Sequence, residues 1–392
     1  MIGVIADDLT GAAELAGIGL RYGLTAEVIV QGECNGKAEL VCVDTDSRSC
    51  TANEAARRAA AAARELRKAG AAWIYKKVDS VLRGNVLAEA QAIQKALGLR
   101  GVLLAPANPC FGRVIRGGRY FVNGKPINQT DFARDPEYPR TSSNVLEMLG
   151  AAKTDAVSVC RLAMALPTSG IILGEVSSSA DVEKWASRST VEKLPAGGAE
   201  FFGALLNRVQ RSGKSSGFPK RSEITLKRKR GETKARELFV CGSTSDYTEQ
   251  FVGEARSMGT PVFSLIRSNG KNYSYSPTMV EAVAEQAMLA FESHSRVVVA
   301  VGRPLIERRG IARRLTRSLV KIAVLVMARV KPEHVYAEGG ATAAELVRQL
   351  GWRRMAVLNE LAPGVITLSL AGRKSVVLTI KPGSYPGWPK SE

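Results

Sequence analysis

Short apolar runs separated by helical patterns recur along the whole chain. Ile2 to Ala6, Glu27 to Val30, Glu39 to Val43, Trp73 to Tyr75, Gly101 to Ala105 and Ile171 to Glu175 read as buried strands. Between them, Ala52 to Ala69 and Leu87 to Leu97 carry their apolar residues at helical spacing. Alternation of this kind predicts an α/β unit whose mainly parallel sheet is covered on both faces. From Arg119 to Asn128 the winding breaks off, and an Asn-Gly pair between apolar flanks predicts a β-hairpin.

A second series follows: Glu237 to Cys241, Pro261 to Leu265, Arg296 to Val301, Val335 to Ala337, Val365 to Leu370 and Val376 to Ile380. It predicts a second α/β unit. Arg211 to Arg236, between the series, is polar, Gly-containing and basic, as a linker is. The expected organisation is α/β, with one domain over 1–210, a basic linker over 211–236, a second domain over 237–392, and a cleft between the domains. There is no internal repeat.

Size agrees with this division, since 392 residues at 45% hydrophobic content exceed one comfortable domain. No run approaches the ~20 apolar residues of a membrane span. The first residues lack the basic and long apolar segments of a secretory signal, so a cytoplasmic protein with no membrane partner is expected.

The net charge of +18 suggests nucleic acid until its distribution is read. Arg211 to Arg236 carries +8 and Arg303 to Lys331 another +8, which leaves the remainder nearly neutral. In the second stretch Arg309, Arg313, Arg317 and Lys321 recur every four residues, while Leu315, Leu319, Ile322 and Val326 hold another face. That is the solvated side of an amphipathic helix. Without aromatic interleaving, RNA binding ranks last among the functions considered.

Six cysteines contain no Cys-x-x-Cys pair, so neither a zinc knuckle nor a thioredoxin-type site is signalled, and the thiols are expected to be reduced. The only histidines, His294 and His334, are not beside a Gly-x-Ser-x-Gly elbow, which argues against Ser-His hydrolase chemistry.

Candidate chemistry gathers at strand ends. The first strand stops at Asp7-Asp8, followed by Leu9-Thr10-Gly11 and a helix expected to start near Ala12. One carboxylate would serve as a cap. A second suggests sugar hydroxyls, a metal or a general base. Lys76, Lys77, Asp79, Arg83 and Asn85 crowd the next strand end, and Asp44-Thr45-Asp46-Ser47-Arg48 a third, where Arg48 could hold a carboxylate bidentately. Loops at the carboxyl edge of a doubly wound sheet share one crevice, so Asp7, Asp8, Arg48, Lys76, Asp79 and Arg83 are expected to line one pocket.

The second half offers Gly242-Ser243-Thr244-Ser245, Glu338-Gly339-Gly340-Ala341-Thr342 and Lys381-Pro382-Gly383, each after a strand. Small residues there expose N–H groups that receive phosphate oxygens, although none forms a Walker loop. Carboxylates and cations in one half with phosphate-receiving loops in the other fit phosphoryl transfer, in which an Asp takes the acceptor proton.

With these residues in view, the chain resembles the four-carbon acid sugar kinase family. The resemblance rests on Ala6 to Ala12, Asp44 to Arg48, Lys76 to Asn85, Gly112-Arg113, Tyr120 to Gly124, Phe132 to Pro136, Gly242 to Ser245 and Glu338 to Ala343, and so spans almost the whole chain. It implies a first domain that binds a sugar acid such as threonate, erythronate or 3-oxo-tetronate, and a second that binds ATP. Phosphorylation of the terminal hydroxyl, with Mg2+, would follow.

Carried over by position, Asp7, Asp8, Arg48, Lys76, Asp79 and Arg83 would form the sugar-acid site, with Asp79 and then Asp8 as candidate bases. Ser243, Ser245, Gly339, Gly340, Thr342 and Gly383 would form the nucleotide site, and no metal ligand is assigned. Implied partners are a sugar acid and ATP, with a homodimer left open.

The chain departs from the family pattern at three places. Ala341 stands where the family usually has an acidic residue, Lys381 to Gly387 replaces a more glycine-rich ending, and Val81 replaces Thr. The alternative expectation is therefore a sugar-acid-binding or regulatory protein with a degenerate nucleotide site.

Overall fold

A computed structural model describes residues 1–34, 37–135, 138–152, 155–211, 235–266, 276–303, 310–370, 376–383, 385 and 388. The chain falls into two compact units, Met1–Arg221 and Ser222–Glu392. The basic stretch read as a linker lies outside the described residues except at its two ends, as do Arg309 and Ser384.

The first unit opens with β1 (Ile2–Ala6), α1 (Leu9–Arg21), β2 (Ala26–Ile29), β3 (Leu40–Asp44) and α2 (Ala52–Lys68). Next come β4 (Trp73–Lys77), α3 (Val86–Leu97), β5 (Gly101–Ala105) and three short strands, β6 (Arg113–Arg116), β7 (Arg119–Val122) and β8 (Lys125–Pro126). α4 (Val145–Met148), β9 (Val157–Cys160), β10 (Gly170–Gly174), α5 (Ser179–Ser187), β11 (Lys193–Gly197) and α6 (Ala199–Arg211) complete it.

Its main sheet runs β2-β3-β1-β4-β11-β5-β10-β9, parallel throughout. α1 packs with α6 and α2 with α3, so both faces are covered. Burial on both sides explains the unbroken apolar strands. The crossover after β1 leads to β2 and the one after β4 toward β5, in opposite directions from adjacent strands. That is a topological switch point, where the loops at the carboxyl ends splay apart and leave a crevice.

The hairpin signal is realised as β7 and β8 around Asn123 and Gly124, both at positive φ, and β6 extends it to a three-stranded sheet. α1 begins at Leu9, three residues before the expected start, because Asp8 accepts a bond from the Gly11 N–H at 2.9 Å and caps the helix. β9 and β11 were not anticipated. Lys193-Leu-Pro-Ala-Gly carries a proline and a glycine that disguise a strand lying between β4 and β5.

The second unit contains β12 (Glu237–Cys241), α7 (Asp246–Ser257), β13 (Val262–Ser264), α8 (Pro277–Ser293), β14 (Arg296–Ala300) and α9 (Ile311–Val330). It closes with β15 (His334–Glu338), α10 (Gly340–Gln349), β16 (Arg354–Ala362), β17 (Val365–Leu370) and β18 (Val377–Lys381). The order is β13-β14-β12-β15-β18-β17-β16, parallel from β13 to β18 and antiparallel in the last three strands. Its switch point lies between β12 and β15. On α9, Arg313, Arg317 and Lys321 are exposed while Leu315, Leu319, Ile322 and Val326 are buried, as the spacing predicts.

Candidate functional site

At the switch point of the first unit, charged side chains from three loops meet. Arg48 grips Asp7 bidentately, Nε to Oδ2 at 2.7 Å and Nη2 to Oδ1 at 2.9 Å, while Nη1 reaches Asp8 Oδ2 at 2.8 Å. Asp79 Oδ2 lies 4.0 Å from Arg48 and 2.8 Å from Arg83 Nη2. Arg83 Nη1 extends the chain of charges to Asp135 Oδ2 at 3.0 Å. Asp7, Asp8, Arg48, Asp79 and Arg83 are thus brought together.

The backbone fixes these groups. Ser47 and Arg48 donate their N–H groups to the Asp7 carbonyl at 3.0 and 3.2 Å, which clips the β3 loop to the β1 loop. Asp79 Oδ1 accepts from the N–H groups of Val81 and Arg83, and Leu82 takes a left-handed φ of 64° within that turn. A buried branched residue at such an angle is strained, and strain of this kind is held where surrounding contacts overdetermine the loop. The hairpin region closes over it: Tyr120 donates to the Ser80 carbonyl, Arg113 to the Ser80 hydroxyl, and Tyr138 to the Arg48 carbonyl.

The electrostatics follow from these contacts. Burial alone would raise the Asp7 carboxyl, but the Arg48 charge and hydrogen bond, helped by Lys76, hold it below the usual range. Asp79 is also held low against its burial, by Arg83 first and then Arg48. Asp44 behaves oppositely. Buried and facing Asp8, Asp46 and Asp7, it is pushed well above the usual carboxylate range.

Lys76 does not line the pocket. It is 1% exposed and forms an ion pair with Glu89 on α3, beneath the site. Lys77 points to the other face of the sheet, 3.5 Å from Glu14 and donating to the Val78 carbonyl at 3.0 Å. Glu89, Asp135 and Tyr138 join the surroundings of the site although the sequence pattern gives them no role there. For Glu89 a signal existed: it falls on the apolar face formed by Val86, Ala90, Ile93 and Leu97, where a charge must find a partner.

In the second unit the site is built from backbone. Gly339 caps α10 with φ 97°, its N–H bonded to the Lys381 carbonyl at 2.9 Å, and Gly242 donates to the Glu338 carbonyl at 3.1 Å. A Cβ on Gly242 would fall 1.8 Å from Thr342 Oγ1, and one on Gly383 would fall 2.6 Å from Ser243 Oγ. Ser243, Gly339, Gly340, Thr342 and Gly383 therefore converge. Ser245 is the N-cap of α7, accepting from the Thr248 N–H at 3.3 Å. Below the loops, Glu338 and Lys381 form a fully buried pair at 2.6 Å, and Lys381 also donates to the Tyr385 carbonyl at 3.1 Å.

A cavity of about 710 Å3 opens beside Ser243 and Thr244, with Val252, Ile266 and Ala300 among its apolar lining and Arg303 at the loop side. That volume lies in the range of small-molecule pockets. Among the described residues no group of three or more acidic, His or Cys side chains is arranged to hold a metal. No helix among them is long and apolar enough to cross a membrane.

Comparison with known proteins defines the class. Residues 2–191 match the family model of a sugar-binding N-terminal domain, and residues 238–385 that of a nucleotide-binding C-terminal domain. An arrangement of this kind marks a two-unit phosphotransferase. Within that class the chain belongs to the four-carbon acid sugar kinase family. It is 28% identical to a D-threonate kinase of Bordetella bronchiseptica, over 97% of this chain and 92% of that protein. It is also 28% identical to a 3-oxo-tetronate kinase of Methylobacterium radiotolerans, over 98% and 96%. A solved Salmonella typhimurium LT2 structure, described as a putative tRNA synthase, superposes with a TM-score of 0.76 at 20% identity, over 98% of this chain and 96% of that one, and shares the fold.

Proposed function

We propose that the chain is an ATP-dependent kinase of a four-carbon sugar acid of the threonate, erythronate or 3-oxo-tetronate class, phosphorylating its terminal hydroxyl. The carrying observation is the Asp7–Asp8–Arg48–Asp79–Arg83 cluster at a switch point, in a chain whose full-length relatives are named as kinases of such acids. Arg48 and Arg83 receive the substrate carboxylate, exchanging part of their contact with Asp7, Asp8 and Asp79 for it. Asp8 moves ahead of Asp79 as the base. Both carboxylates are engaged, Asp8 by the Gly11 N–H and Arg48, but its side chain is 24% exposed against 9% and meets one arginine where Asp79 meets two.

The N–H groups of Gly340 and the first turn of α10, with that of Gly383, receive the phosphates, Gly339 sets the turn that aims them, Ser243 and Ser245 order the neighbouring loop, and the cavity beside Ser243 takes the nucleoside. Mg2+, carried on the nucleotide phosphates as is its usual mode of binding, would neutralise their charge and would need few protein ligands. Phosphoryl transfer of this kind is mostly positioning and charge neutralisation, which matches a site made of rigidly held ions.

A turnover screen over stereoisomers of threonate, erythronate and 3-oxo-tetronate with ATP tests the reading. One acid is expected to give ADP and a phosphorylated product, and ADP release from none of them would sink it. Ala341 favours a second reading, a binding protein with a weakened nucleotide site. Calorimetry separates the two, since that reading requires sugar-acid binding without ATP binding.

A further inference from the structure

One layer beneath the sugar-acid site lies a buried polar network that the proposed chemistry does not use. Glu89 is 1% exposed and contacts Lys76 on one side, while Ser47 donates to its Oε1 at 2.8 Å on the other. Ser47 Oγ is also 2.7 Å from Thr45 Oγ1, which donates to the Ala6 carbonyl at 2.8 Å. The network therefore joins the end of β1, the loop after β3, β4 and α3. A buried ion pair is usually no more stabilising than apolar residues of the same volume, so packing alone does not account for one here.

We propose that Glu89 is a positioning residue of the sugar-acid site, tying Lys76 and Ser47 into one unit that fixes where Arg48 presents its guanidinium. The inference rests on the reading of that site given above. Its geometry is direct. Ser47 and Arg48 are consecutive, both donate N–H groups to the Asp7 carbonyl, and Arg48 then turns back to clamp the Asp7 carboxylate. Anchoring Ser47 from below leaves Arg48 little freedom of translation. Lys76 is the counter-charge to Glu89 in the interior, so its part is structural support rather than contact with substrate.

Two variants separate positioning from plain stability. Ser47→Ala keeps the ion pair and cuts only the link to the loop. The double variant Lys76→Met with Glu89→Leu removes both charges together, which avoids stranding either one. Both are expected to fold and to raise KM for the sugar acid by about tenfold to a hundredfold, as small misplacements of a binding group do. KM for ATP stays as in the unmodified chain. The Ser47 and Arg48 amides are expected to exchange hydrogen faster relative to the other amides of the unit.

Unchanged sugar-acid KM and unchanged exchange in both variants would reduce the network to packing and overturn the proposal. Should the unmodified chain phosphorylate no sugar acid, the functional reading falls while the relative exchange of those two amides still decides the positioning role. If the double variant does not fold, Ser47→Ala carries the test alone.

Discussion

The two units place their candidate sites at equivalent points of the same kind of sheet, and make them from opposite materials. In the first, the loops are held by charged side chains, with Arg48 facing three carboxylates and Arg83 two. In the second, the loops touch through Gly242, Gly339 and Gly383, with Glu338 and Lys381, the only buried charged residues among those described there, set below them. A site made of paired charges is broken by taking atoms away, and a site made of bare backbone is broken by adding them. The difference gives each unit its own vulnerability.

The largest expected effect is on the charge-built side. Arg48→Ala would leave the buried Asp7 without its main partner and should cost about 3–5 kcal/mol of stability in the first unit. Sugar-acid binding should disappear with it, while nucleotide binding survives in any variant that folds. Denaturant titration and calorimetry with each ligand check this, and a stable Arg48→Ala that binds the sugar acid normally would remove Arg48 from the site.

Gly242→Ala is the mirror experiment. Its methyl would meet Thr342 Oγ1, and overpacking of this kind costs about 1–3 kcal/mol. A clear rise in KM for ATP, with sugar-acid KM unchanged, is the expected kinetic outcome. Equal effects on both substrates would erase the distinction between the two sites.

Acid should act on the units in different windows. His334 is kept neutral by burial, down to about 4 from 6.5, so the unfolded chain takes up its proton first as pH falls. The associated stability is complete above 6.5 and is lost on the way down to about 4. Both histidines lie in the second unit. The held-down carboxyls of Asp7 and Asp79 instead favour the folded state above the ordinary Asp value, about 4, and their contribution falls away below it. Hydrogen exchange resolved by segment at pH 7 and pH 5 should therefore show the second unit loosening first, and His334→Gln should flatten that response.

The smallest effect is expected at Ala341, exposed in the first turn of α10. Ala341→Asp places a carboxylate at a helix N-terminus, worth about 0.3–1 kcal/mol of stability. It should also tighten ATP binding modestly when Mg2+ is present. A large gain in turnover would mean that the nucleotide site of the natural chain is impaired.

Much of this was legible in the residue pattern, and the exceptions have physical reasons. β5 and β12 match the runs Gly101 to Ala105 and Glu237 to Cys241, because the interior of a parallel strand covered on both faces is apolar, and β17 matches Val365 to Leu370, where apolar residues alternate with Thr367 and Ser369. β11 was hidden by Pro195 and Gly197, and β16 by Asn359 and Glu360, which sit beside the register shifts of an antiparallel pair. Asp7, Asp8, Arg48, Asp79 and Arg83 could be grouped because the carboxyl edge of a parallel sheet gathers its loops. The depth of Lys76 could not be read. Its neighbour Lys77 is as polar, and only the partner on α3 shows which face of β4 each lysine takes.

Each unit also carries a sealed thiol on a central strand: Cys42 on β3 and Cys241 on β12, both fully buried with their acidity suppressed by burial. Thiolate is the species that alkylating reagents attack, so neither sulfur can be labelled until its own strand is uncovered. Timed alkylation followed by peptide mapping would thus give two independent clocks in one molecule, each ticking at the opening rate of its own half, with no probe to be engineered.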